Sequence, residues 1–173
     1  MPPETSLLPL TQGLFATVSA HRFAELSGFK WSALWNPCTK SHYAVRTDTG
    51  SDGSVYLHRQ ILGLEAGNPL QADHRNHDTL DNTDANLRTA TRSQQQANSR
   101  LKCNYRSGYK GVYESKRGDF LAQVYSGGRK ILLGRHRTVE AAAEAYNAAA
   151  SELWGEFACL NFIPAQMLQA AAA

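Results

Sequence analysis

Asp73 and His74 stand at the head of the densest polar cluster in the chain, Gln71 to Arg92, which reads QADHRNHDTLDNTDANLRTATR. A carboxylate is a hard oxygen ligand of the kind Mg²⁺ and Mn²⁺ prefer, and those ions keep several of their waters. An imidazole with an ordinary pKa of about 6.5 suits proton transfer at neutral pH. Side by side they hold the ingredients of a hydrolysis: a base for water and a ligand for a Lewis acid. The pair alone says little, since two common polar residues meet often by chance. The Asn and Asp residues downstream have side chains that hydrogen-bond their own backbone in tight turns. Asp78, Asp81 and Asp84 are therefore expected as turn and cap residues, and His77 as an exposed loop residue.

Elements must place these groups. A short strand leads into Asp73 and His74, and a second, Leu87 to Thr91 (LRTAT), follows the Asn/Asp-rich loop. Ser93 with Gln96 three residues on has the spacing of a capping box, opening a helix through Gln94, Gln95, Ala97 and Asn98. Successive residues of a strand face opposite ways, so Asp73 and His74 meet one substrate only because the strand ends there. Upstream, SHYAVRT (Ser41 to Thr47) and SVYL (Ser54 to Leu57) alternate as short strands, with a hairpin connection expected over TDTGSDG. HRQILGL (His58 to Leu64) reads as a short helix closed near Gly63, with Ile61 and Leu62 turned to a core. Residues 1–50 as a whole are expected to form a β-rich lead-in.

The order strand, Asp-His, loop, LDNTDANLR, strand, helix resembles the HNH nuclease motif in the form found in phage and intron homing endonucleases. PLTQGLFATV and YLHRQILGL are similar to the N-terminal part of that group, so the resemblance covers about residues 8–100. Its most specific feature is the ordered set His58, Asp73, His74, Asn82, Asn86 and the Asn-Leu-Arg tripeptide. The resemblance implies a single-metal ββα nuclease module. In it His74 is the general base, Asp73 a ligand of Mg²⁺ or Mn²⁺, and Asn86 the residue that holds the loop and orients the base. His58 and Asn82 are supporting candidates. The last motif position, nine residues after Asn86, holds Asn or His in the family and Gln95 here. Its amide oxygen is still a hard donor, but the extra methylene changes its reach and costs more side-chain entropy to fix.

Charge points to a second region. From Arg100 to Thr138 ten basic residues face two acidic ones, a net +8, leaving eight basic and thirteen acidic residues elsewhere, a net −5, in a chain of overall charge +3. Such asymmetry is an electrostatic footprint for a polyanion, although a basic stretch is more often a solvated face. Three strands are expected over Tyr109 to Glu114, Phe120 to Tyr125 and Arg129 to Arg135, as an antiparallel meander with turns at Gly118 and Gly127-Gly128. A helix follows from Val139 to Leu153, capped by Thr138, with Ala142, Ala145, Tyr146, Ala149 and Leu153 at helical spacing and Gly155 as its stop. The phrases YKGVYESKRGDFLAQV, LLGRHRTVEAAAEAYNAAA and LNF resemble the Apetala-two or ethylene-response-factor DNA-binding domain over residues 105–163. That resemblance implies a sheet laid in the major groove of DNA. Of the family's contacting positions the basic one at Lys110 is kept. Tyr113 and Arg117 stand where Arg and Trp usually do, and Ser115 replaces a basic residue. Lys110, Tyr113, Arg117, Arg129 and Lys130 are the expected contacts, to phosphate more than to bases.

The fold class expected is α+β: a β-rich lead-in and ββα-metal module over residues 1–102, a three-stranded antiparallel sheet packed on one helix over 103–163, and a tail over 164–173. At 173 residues the chain has room for two small cores. No apolar run approaches the roughly 20 residues of a membrane helix, and MPPETSLLPLTQG lacks the basic and apolar regions of a secretory signal. Cys38, Cys103 and Cys159 are odd in number and contain no CxxC pair, as reduced structural thiols would be. The expectation is a cytoplasmic monomer, in the host cell if phage-encoded, that hydrolyses double-stranded DNA and nicks one strand per event. A non-catalytic DNA-binding regulator with a degenerate HNH module is the alternative. An RNA-binding or protein-interaction role for the basic sheet is a more distant one.

Overall fold

A computed structural model describes residues 4–47, 53–100 and 106–164. The chain forms two compact units, Met1–Arg92 and Ser93–Ala173. Both mix short strands with few helices, so the α+β expectation holds at that level.

In the first unit β1 (Thr5–Pro9) and β2 (Phe15–Ser19) pair antiparallel, Leu8 opposite Ala16. Alternation turns Leu8, Ala16 and Val18 inward while Leu7 and Phe15 stay exposed. A one-turn helix α1 (Phe23–Leu26) ends on the Leu26 carbonyl, which accepts a hydrogen bond from the Trp31 indole at 2.9 Å. Trp31 is thereby buried without leaving its N–H unpaired. Strands β3 (Ser32–Asn36), β4 (Ser41–Thr47) and β5 (Ser54–Tyr56) form an antiparallel sheet in that order. The hairpin connection expected over Thr47 to Gly53 falls mostly on residues 48–52, outside the described residues. Helix α2 (Leu57–Ile61) begins one residue early, converting the expected last strand residue, Leu57, into a fully buried helical one. Gly63 closes it at φ +63°, the left-handed conformation that glycine adopts without a Cβ penalty. Strand β6 (Gln71–His74), the two-residue β7 (Asp81–Asn82) and β8 (Leu87–Ala90) follow. β6 pairs with β8, Asp73 opposite Arg88 and His74 opposite Leu87, whereas β7 joins β2 in parallel. The core of Leu8, Val18, Leu26, Trp31, Leu57, Ile61 and Leu87 ties these pieces together.

The second unit opens with α3 (Arg92–Asn98). The helix starts at Arg92, so Ser93 lies inside it and does not serve as the expected N-cap. Strands β9 (Val112–Glu114), β10 (Phe120–Ser126) and β11 (Arg129–His136) make an antiparallel sheet with β10 central. β9 is three residues shorter than expected because Gly111 turns at φ +74° against the helix. A Cβ there would overlap the ring of Tyr146. Helix α4 (Val139–Trp154) packs on the sheet, Thr138 Oγ1 accepting from the Ala141 amide at 3.2 Å. Its buried face is Ala142, Ala143, Tyr146 and Ala150, with Leu153 at 42% exposure outside it. The buried face is thus rotated from the expected one, because the small alanines, not the larger leucine, meet Val112, Ala122 and Val124. Gly155 ends the helix at φ +51°. Asn161 then binds back: its side chain bonds both backbone groups of Lys110, at 2.6 and 3.0 Å, and its backbone bonds the Asn147 side chain, at 2.9 and 2.7 Å. Residues 103–105 at the start of the expected binding domain, and the expected tail from 165 onward, lie outside the described residues.

Candidate active site

β6 ends the site's first strand on three buried residues, Ala72, Asp73 and His74. The register of β6 on β8 sets Arg88 across from Asp73, and its Nε lies 2.8 Å from Asp73 Oδ2. Both side chains are 6% exposed. A buried ion pair costs desolvation on both sides and adds little net stability, so its persistence points to a use. Sequence reasoning does not single out Arg88 beyond its place in the Asn-Leu-Arg tripeptide. The available signal is the strand register, which places residue 88 opposite residue 73.

The loop after His74 is knit by its own amides and carboxylates. Asn86 Oδ1 accepts from the Asn76 amide at 3.0 Å, Asn86 Nδ2 donates to the Asp81 carbonyl at 2.7 Å, and the Asn86 carbonyl accepts from the Arg75 amide at 2.9 Å. Asp81 accepts from Asn76 Nδ2 at 2.7 Å and from the Thr83 hydroxyl at 2.8 Å. Asp78 Oδ1 accepts from the Leu80 amide at 3.0 Å, a turn bond of the expected kind. Asp84 pairs with Arg22 at 2.7 Å and His21 at 3.2 Å. His77 takes φ +63° in this loop.

His74 itself is buried and touches Asn82 and His58. Asn82 Oδ1 lies 3.4 Å from His74 Nε2. The His58 ring meets the His74 ring edge to face at 5.2 Å between centroids, and is itself packed by Tyr56 at 5.4 Å and Tyr43 at 5.6 Å. Burial, with the neighbouring His74 and Arg59, pushes the His58 pKa down to about 3. Burial also holds His74 below its ordinary value, opposed by the Asn82 hydrogen bond and by the carboxylates of Asp73, Asp78 and Asp81. Both imidazoles are thus neutral at neutral pH, the state in which a histidine accepts a proton.

Gln95 is a partly buried residue of α3 in the second unit. Among the described residues no three His, Cys, Asp or Glu side chains gather as a metal cage. A carboxylate has about four lone-pair sites, of which the Arg88 bond takes one on Asp73. Such a donor set does not fit a closed four-ligand zinc site. It does fit a hard ion that binds through one or two protein oxygens and keeps its waters.

In the second unit the face of the sheet away from α4 carries Tyr113, Leu121 and Arg135 in one row, Gln123 with Leu132 in the next, and Tyr125 with Lys130 in a third. Tyr125 is 59% and Leu132 58% exposed. Arg117, Arg129 and Lys130 are exposed in or beside the turns. The Arg117 turn is shaped by Ser115, whose hydroxyl bonds the Asp119 carboxylate and accepts from the Arg117 amide at 3.1 Å. Lys110 differs from these. Its ammonium donates to the carbonyls of Ala97 and Ser99 at the end of α3, at 2.5 and 2.7 Å, and burial lowers its pKa.

No protein-family model matches the chain, and no solved structure matches it. A protein of Acanthamoeba polyphaga mimivirus described as an uncharacterised HNH endonuclease is 35% identical over 162 residues, covering 91% of this chain and 80% of that protein. With that relationship spanning the Asp73–His74 strand and the loop closed by Asn86, the chain belongs to the HNH endonucleases.

Proposed function

We propose that the protein is a metal-dependent DNA endonuclease in which His74 activates water and Asp73 holds the ion. The observation that carries this reading is a buried, neutral imidazole adjoining a buried carboxylate at a strand end, in a chain belonging to the HNH endonucleases. His74 takes a proton from the attacking water. Asp73, and by the family pattern Gln95, bind Mg²⁺ or Mn²⁺, which supplies Lewis-acid stabilisation of charge on the phosphate and the leaving oxygen. Arg88 fixes the Asp73 carboxylate in one orientation, and Asn86 keeps the loop rigid. Preorganisation of this kind matters because a nuclease site works mostly by positioning.

Double-stranded DNA is the proposed substrate, with residues 1–102 as the nuclease module and 103–163 as the binding domain. Exposed Arg117, Arg129 and Lys130, with Tyr113 on the same sheet, are suited to phosphate and base contacts. Lys110 has a third N–H for a phosphate beyond the two it gives to Ala97 and Ser99. Tethering a weak catalytic site to a binder raises its effective concentration on DNA. A monomer in the cytoplasm, nicking one strand per event, completes the proposal.

A second reading, DNA binding without cleavage, is favoured by one observation: the Asp73 carboxylate is bonded to Arg88 while Gln95 replaces the usual ligand. Supercoiled plasmid with Mg²⁺ or Mn²⁺, run beside an EDTA control and a gel shift, separates the two. Metal-dependent nicking supports the endonuclease. A gel shift with intact plasmid at every metal concentration supports the binder.

A further inference from the structure

We propose that the β3–β4 hairpin is a second DNA-contacting surface, carried by the nuclease unit itself, in which the Trp35 ring stacks on a base of the substrate and Lys40 takes an adjacent phosphate. This rests on the reading of double-stranded DNA as the substrate.

Charge marks the segment first. Between Glu25 and Asp48 the chain carries Lys30, Lys40 and Arg46 and no acidic residue, interleaved with Phe29, Trp31, Trp35, His42 and Tyr43. The rest of residues 1–92 holds five basic and nine acidic residues, a net −4, so this is the basic stretch of its unit. Basic residues set among aromatic ones suit a polyanion whose bases offer flat faces. Arg46 is engaged, its guanidinium over Phe29 at 4.4 Å and its Nε donating to Gln60 Oε1 at 2.9 Å, whereas Lys30 and Lys40 are exposed.

Packing then singles out Trp35. Trp31 fills the core, but Trp35 is 50% exposed. His42, directly opposite in the ladder, packs on its ring at 4.9 Å between centroids. A large ring left half in water forfeits burial in the free protein and gains it when a partner covers it. The strand beneath is fixed: Thr11 Oγ1 accepts from the Ala33 amide and Gln12 Nε2 donates to the Ala33 carbonyl, both at 3.0 Å. Asn36 Oδ1 closes the turn by accepting from the Cys38 amide at 2.9 Å. A ring presented on a preorganised hairpin binds at a lower entropy cost.

The hairpin also adjoins the catalytic loop. The His42 carbonyl accepts from Thr79 Oγ1 at 2.6 Å, and the next residue, Tyr43, packs on His58, which meets His74. A DNA strand with one phosphate at His74 runs on past that loop, and the surface beside it is this basic, aromatic one.

The test is tryptophan fluorescence of the whole protein with mixed-sequence duplex DNA in EDTA, so that binding is read without cleavage. Subtracting the spectrum of Trp35→Phe isolates Trp35 from Trp31 and Trp154. Acrylamide is expected to quench Trp35 in the free protein, and saturating duplex to quench its emission and shield it from acrylamide. Trp35→Ala should weaken duplex binding on the order of ten-fold, and Lys40→Ala should lower the salt dependence of binding by about one unit of slope. A Trp35 that stays open to acrylamide with duplex bound overturns the proposal, and this holds even if Trp35→Ala does not fold. So does a folded Trp35→Ala with wild-type affinity, or a Trp35 already shielded in the free protein. If the wild type binds no duplex at all, the reading of DNA as substrate fails, and this proposal with it.

Discussion

The two units use polar groups in opposite ways. Around His74 the polar residues are inside: Asp73, His74, Asn82, Asn86 and Arg88 are all buried. In the sheet of the second unit the charges are outside, and the apolar interior is alanine, valine and one tyrosine, with Gln123 of β10 as a buried but uncharged polar residue. Buried polar groups are expensive unless each finds a partner, so a chain keeps such a cluster where chemistry repays it. Surface charges cost little and act over distance, which suits attraction of a polyanion more than catalysis. The same contrast sorts the consequences of mutation.

The largest effect is expected from Arg88→Ala, which strands the Asp73 carboxylate in the interior. Breaking one side of a buried pair costs about 3–5 kcal/mol, readable by denaturant unfolding. A cost near zero would mean that the pair opens to solvent. Acid should also act on the first unit. His58 stays neutral when folded and titrates at about 6.5 when unfolded, so protons bind the unfolded chain preferentially between those values. Stability is complete above 6.5 and falls as pH drops toward about 3, with His74 adding in the same direction. The slope is at most about 1.4 kcal/mol per pH unit for each group. His58→Phe should flatten that dependence. Thr138→Ala removes the cap of α4 and should cost about 1 kcal/mol. The smallest effects belong to the outer face of the sheet. Replacing Arg129 and Lys130 by alanine should reduce the salt dependence of DNA binding by about one unit of slope for each phosphate no longer neutralised. Single-turnover cleavage of bound DNA should be unaltered. A change in that rate with salt dependence intact would break the division between the units.

Local signals in the sequence locate most of the elements. β4 matches its alternating run from Ser41 to Thr47, and α4 follows its Thr cap and alanine spacing. The differences arise where distant residues decide. β9 is cut short because Gly111 must clear Tyr146 and because Asn161, 51 residues on, takes both backbone groups of Lys110. The fully buried core residues of the lead-in, Leu8 and Trp31, sit among short segments whose pattern has no clear period. In the site, Asp73 and His74 are legible from type and order. That Asn82, not Asn86, faces His74 is not legible. It follows from a two-residue strand joining β2, and no local pattern announces so short a pairing.

The central claim is best tested by cleavage of saturating supercoiled plasmid in Mg²⁺ or Mn²⁺ by wild-type protein and by His74→Ala, with DNA binding measured in parallel. The account predicts nicking by the wild type and a loss of about 100-fold or more in the variant, with DNA affinity unchanged. Cleavage by His74→Ala at the wild-type rate would contradict it.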